Sequence, residues 1–122
     1  MCYFLTHEEG DKPRFEKLIK CNIWDAPDNM QRLLSEIEKG NFIFNLDIDY
    51  FFTRCGSTEI QMFSDDYLEY LLSPISAEYK KGNISVITIS LSPECSGEWE
   101  KAITTCDKVC KIMDIPFNVE MI

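Results

Sequence analysis

The order of apolar and polar positions divides the chain into alternating extended and helical stretches. Cys2–Leu5 is a short apolar run with the character of a strand. The polar stretch His7–Pro13 follows, and then Phe15, Leu18 and Ile19, whose spacing predicts a short helix. Asp25 stands before Pro27, and Met30, Leu33, Leu34 and Ile37 recur three or four residues apart. That is a capped amphipathic helix with Pro in its first turn, closed by Lys39 and Gly40. Asn41–Phe52 (NFIFNLDIDYFF) is nearly continuously apolar and aromatic, as a strand covered on both faces would be. Thr53–Gln61 reads as a loop carrying Gly56.

Ser64, with Asp65 and Asp66 after it, opens a second helix on the dipole side that suits acids. Leu68, Leu71, Leu72, Ile75 and Tyr79 form its apolar stripe, Pro74 is a kink point, and Lys80, Lys81 and Gly82 close it. Ile84–Leu91 is a β-branched strand. The loop Ser92–Gly97 leads, with Ser96 as N-cap, into a third helix. The predicted buried face of that helix is Trp99, Ala102, Ile103, Cys106, Val109, Cys110 and Met113. Ile115 and Pro116 end it, and Phe117–Met121 reads as a last strand. Strands alternating with helices imply a parallel sheet with right-handed crossovers. The expected architecture is α/β, a three-layer sandwich with a mainly parallel sheet, in one domain over residues 1–122. No repeat, linker or low-complexity stretch interrupts it.

Charge narrows the partners. With 12 Lys and Arg against 21 Asp and Glu the net charge is −9, too acidic to grip nucleic-acid phosphates. A cationic small molecule, a cationic peptide or a metal ion is the complementary partner. No run reaches the roughly 18–20 apolar residues of a membrane span. No basic segment precedes the first apolar run, so a cytoplasmic chain without a signal peptide is expected. In that compartment the six cysteines are reduced packing residues.

Asp47 and Asp49 carry the candidate chemistry. Ligands of open α/β sheets bind at the carboxyl ends of strands. Residues i and i+2 of a strand share a face, so both carboxylates could converge. Like charges walled by Phe44, Tyr50 and Phe51 would be relieved by a hard divalent cation such as Mn²⁺ or Mg²⁺. The plainer alternative is a strand that ends early, with both aspartates capping loops or solvated.

The segments GNFIFNLDIDYFF, FSDDYLEYLL and NISVITISLSPECSGEWEKAI resemble the C-terminal half of the peptide-arginase-like family, a branch of the arginase/deacetylase superfamily. The resemblance spans about residues 27–113 and is most specific in LDIDYFF and SPECSGEW. It implies an arginase/deacetylase-like half-domain in which Asp47 and Asp49 ligate manganese. In that family a two-manganese centre activates the water that hydrolyses a guanidinium group. Substrate contacts would fall to Glu94, or to Ser90 at the strand end. The superfamily's earlier Asp-x-His-x-Asp cluster has no counterpart here. The single histidine, His7, lies in Thr6-His7-Glu8-Glu9. The resemblance therefore implies a truncated or degenerate relative that is not catalytic alone, and a sheet incomplete enough to favour a homo-oligomer.

Two other readings stand beside it. A phosphatase of the haloacid-dehalogenase type would use Asp47 as nucleophile, with Asp49 and Ser90 in support. The later lysine and acid pair of that family have only Lys101, Lys108, Asp107 and Asp114 to match them. The third is a non-enzymatic interaction or structural protein that kept a fold and lost a site.

Overall fold

The structure, a computed structural model, describes residues 2–5, 17–20, 25–36 and 42–118. They belong to two compact units, Met1–Glu36 and Ile37–Ile122. In the first, strand β1 (Cys2–Leu5) pairs in parallel with β2 (Lys17–Lys20), Cys2 opposite Lys17 and Leu5 opposite Lys20. Leu18 and Ile19 are thus in a strand and not in the expected helix. A one-turn helix leaves most of its backbone groups unbonded, whereas β1 supplies partners for all four residues. Phe15 lies outside the described residues. Helix α1 (Ala26–Glu36) begins where Asn29 N–H donates to the Asp25 carbonyl at 3.0 Å. Pro27 sits in its first turn, where a missing N–H costs nothing. Ala26, Pro27, Met30, Leu33 and Leu34 are its buried positions. Ile37, Lys39 and Gly40 fall outside the described residues.

The second unit starts with β3 (Phe42–Asp47), which passes through a 3-10 turn (Ile48–Phe51) into β4 (Phe52–Cys55) and β5 (Thr58–Gln61). Helix α2 (Asp65–Lys80), strand β6 (Ile84–Ser90), a 3-10 turn (Pro93–Cys95) and helix α3 (Glu98–Met113) complete it. β3 and β6 run parallel, from Phe42 opposite Ile84 to Asp47 opposite Ser90. The fold is α/β with mostly parallel pairing and flanking helices, as the sequence implies. β3 itself is half-buried: Phe44 and Leu46 are in the core, while Ile43, Asn45 and Asp47 are exposed. That alternation replaces the expected cover on both faces.

The stretch read as a loop is an antiparallel hairpin, Phe52 opposite Gln61 and Cys55 opposite Thr58. Gly56 and Ser57 form its two-residue turn. Gly56 has φ +65° and Ser57 no positive φ, the pattern of a type II′ turn, which places Gly first. Ser64 caps α2 as expected, its side chain accepting the Tyr67 N–H at 3.2 Å. The helix continues through Pro74 and closes at Lys80 and Lys81. Its buried positions are Leu68, Leu71, Leu72, Ile75 and Ser76; Tyr79, expected in the stripe, is 40% exposed. The buried Ser76 hydroxyl donates to the Met113 carbonyl at 2.9 Å, tying α2 to the end of α3.

On α3 the buried face is Ala102, Thr105, Cys106, Val109, Cys110 and Met113, with Trp99 58% exposed at the outer end. Gly97, not Ser96, takes the N-cap position, with φ 70°. A Cβ there would meet the Lys101 side chain and lie 3.3 Å from the Glu59 carbonyl oxygen, and it would be strained at this φ, so glycine suits the position. α3 ends at Asp114 in the left-handed region (φ 56°). Residues 115–118 carry no strand, and the rest of the expected last strand lies outside the described residues. Ile48, Phe51, Leu68, Leu72, Ile75, Ile84, Val109 and Met113 are the fully buried centre of the unit.

Candidate functional site

The outward rows of the β3–β6 pair change character along the strands. Ile43 faces Val86, then Asn45 faces Thr88, and at the carboxyl end Asp47 faces Ser90. Thr88 Oγ1 donates to Asn45 Oδ1 across the second of these rows. The Ser90 and Ser92 hydroxyls share a hydrogen bond at 3.1 Å. Asp47, Ser90 and Ser92 therefore sit together where the two parallel strands stop, the position at which open α/β sheets bind ligands.

Asp49 arrives there by another route than the one expected. The strand ends at Asp47, and Asp49 lies in the following 3-10 turn. Its backbone N–H donates to Asp47 Oδ1 at 3.3 Å, so Asp47 is the N-cap of that turn. Apolar packing explains the early end of the strand. Ile48 and Phe51 are both fully buried, and a three-residue turn stacks residues three apart where strand alternation would separate them. Asp47 is exposed and Asp49 half-buried. Glu94 is exposed on the 3-10 turn Pro93–Cys95. Ser92 before it holds φ 41°, a left-handed conformation that is costly for a side chain bearing a Cβ.

The donors assembled by this end of the sheet are carboxylate and hydroxyl oxygens, the hard set that suits Mg²⁺ or Mn²⁺. Asp47 Oδ1 is engaged by the turn, and Asp47 and the Ser90 and Ser92 hydroxyls are the oxygen-bearing groups placed together at this strand end. Among the described residues no group of three or more His, Cys, Asp or Glu converges. His7, Glu8 and Glu9 lie outside those residues.

The cysteine pair of α3 is a packing feature. Cys106 and Cys110 are buried with their sulfurs 4.0 Å apart. Burial, then the neighbouring Cys110, pushes the Cys106 thiol up to about 12. Burial raises Cys110 as well. A neutral thiol is a poor nucleophile and a poor metal ligand. Ser96, expected as a cap, has a fully buried hydroxyl without a protein partner.

Sequence reasoning missed Ser92, whose hydroxyl joins the cluster through Ser90. Its signal was its place two residues past Ser90, at the end of a β-branched strand. No protein-family model, curated protein or solved structure matches this chain. No helix among the described residues is long and apolar enough to cross a membrane.

Proposed function

We propose that this chain is a degenerate, non-catalytic relative of the manganese-dependent peptide arginases that retains one single-ion half-site at Asp47 and Asp49. The observation that carries the reading is the pairing of Asp47 with Ser90 at the carboxyl ends of β3 and β6, with Ser92 bonded to Ser90. Asp47 and Asp49 hold one divalent ion, manganese first, with Ser90 and Ser92 at its margin and Glu94 on the approach for a cationic group. A lone ion that keeps several waters is a weaker Lewis acid than a fixed pair, so guanidinium hydrolysis is not expected. The partner class is a cationic small molecule or peptide, the compartment cytoplasmic, and the assembly a homo-oligomer.

The test is calorimetric titration with Mn²⁺ beside a urea-release assay on arginine and an arginine peptide. Binding of one ion, lost in Asp47→Asn and Asp49→Ala, with no urea formed, is the expected result. Urea release that depends on manganese and on Asp49 would establish full catalysis instead. No binding at all would leave a scaffold without a site.

The same pairing favours one rival. A haloacid-dehalogenase-type phosphatase needs a nucleophilic aspartate at one strand end and a phosphate-holding hydroxyl at the next, and Asp47 and Ser90 are ladder partners. Phosphate release from a generic phosphoester, abolished in Asp47→Asn, would decide for it.

A further inference from the structure

On the side of the second unit formed by the hairpin and α3, an open cleft of about 320 Å³ is lined by residues that serve neither strand end. Its volume is at the small end of the roughly 300–1,000 Å³ of ligand pockets. Phe52 and Ile60 give it an apolar wall, and Ile60 is 44% exposed there. The opposite wall is α3, where Lys101, Thr104, Thr105 and Lys108 lie at i, i+3, i+4 and i+7 and so on one face.

The charge of that wall runs against the rest of the molecule. In a protein with 12 basic and 21 acidic residues, the cleft is lined by Lys101 and Lys108 against the single carboxylate of Glu100. Lys101 Nζ donates to the Glu59 carbonyl oxygen at 2.8 Å, a neutral acceptor that fixes the ammonium without neutralising it. The Glu59 carboxylate is taken by Arg54, which reaches it at 2.9 and 3.1 Å. Lys108 is 3.3 Å from Asp65 Oδ1, a pair whose carboxylate side chain is 68% exposed. Such surface pairs are worth little and exchange readily with another anion.

We propose that this cleft binds a small amphipathic organic anion, an aromatic or branched aliphatic carboxylate, with its apolar body against Phe52 and Ile60 and its carboxylate on Lys101 or Lys108. The apolar wall rewards cover from water, and the two ammonium groups select the sign of the ligand. An inorganic anion would leave Phe52 and Ile60 wet; a neutral aromatic would leave the lysines unanswered.

The experiment is an amide-resonance titration of the full chain with 1-naphthoate and, in parallel, with neutral 1-naphthamide of nearly the same shape. Naphthoate should shift the amides of Phe52, Ile60, Thr104 and Thr105, and naphthamide should bind about tenfold more weakly or less, the loss of one modest charge contact. The double variant Lys101→Gln, Lys108→Gln changes exposed side chains and should keep its spectral dispersion while losing naphthoate affinity about tenfold or more. Raising salt should weaken naphthoate binding in the native chain. Absence of shifts at millimolar naphthoate, equal binding of the two probes, shifts confined to other residues, or unchanged affinity in the double variant would each overturn the proposal.

Discussion

Asp47 stands at the junction of two demands, one from the backbone and one from solvent. Its Oδ1 accepts the Asp49 N–H, which makes it a cap for the 3-10 turn, and the side chain is otherwise open at the sheet's edge. Removal of the acceptor should cost what a cap costs. Asp47→Ala is expected to lose about 1 kcal/mol in urea denaturation with chelator present, and Asp47→Asn, which still accepts, only a few tenths. If both variants lose manganese but only the alanine loses stability, capping and ion binding are separate uses of one side chain.

The sequence placed Asp47 toward the carboxyl end of a strand over Asn41–Phe52, and the strand in fact stops at Asp47. Asp49 was misplaced, because nothing in Ile-Asp-Tyr-Phe reveals that Ile48 and Phe51 are buried three apart until the core is known. The thiols make a second residue-scale expectation. Cys55 and Cys95 are exposed, and Cys106 and Cys110 are buried. At pH 8 a thiol reagent should label Cys55 and Cys95 quickly, and Cys106 and Cys110 only on unfolding. The Cys106 proton is held up to about 12 in the fold, against an ordinary thiol near 8.5 unfolded. Between those values the unfolded chain binds fewer protons than the native one. This contribution to stability is therefore complete below about pH 8.5 and falls as pH rises toward 12.

At the scale of elements, short-range chemistry was legible where one residue type was decisive. Ser64 before two aspartates marked the start of α2, and β-branched Ile84–Ile89 marked β6. The hairpin was not legible. β4 and β5 have only four residues each, Phe52 is the one large apolar residue in β4, and Gly-Ser is a less distinctive turn than Asn-Gly. Tertiary contact also moved the helix faces: Ser76 replaced Tyr79 in α2, and Thr105 joined the core of α3 while Trp99 left it. The exchange at Ser76 has a measurable consequence. Its hydroxyl reaches the Met113 carbonyl from outside α3, at 2.9 Å and buried. Ser76→Ala should destabilise by about 1–3 kcal/mol by leaving that carbonyl unsatisfied, read as a lower urea midpoint with an unchanged slope. A neutral outcome would mean that water reaches the carbonyl.

For the molecule as a whole, the outward face of the parallel pair sets the expectation. Ile43 is 61% and Val86 46% exposed, and they are partners in register. Among the described residues β3 and β6 form a sheet of two strands, so each has an unpaired edge. Apolar rows beside open edges favour self-association. Light scattering at micromolar concentration is expected to find a dimer, and Ile43→Lys, a charge on the exposed row, to return it to monomer. A monomeric native chain would remove the assembly from the reading. The fold class was legible because alternation of helices and strands survives errors in single elements. The expected assembly rests only on a shortage of strands, since no residue pattern states which faces stay open.

The pairing of β3 with β6 also has a consequence in time. Asn45 and Thr88, which bond across it, are 43 residues apart. At the usual 5–20 residues per second of synthesis, β3 leaves the ribosome roughly 2–9 s before its partner. Through that interval Phe42, Ile43, Phe44 and Leu46 travel as an unpaired apolar strand while α2 is still being made. The hairpin that follows directly is local and closes in about 1–10 μs, so β4 and β5 are withdrawn from intermolecular pairing almost at once. Among the described strands of the second unit, β3 is therefore the one that waits longest for its partner, until Ser90 has been made.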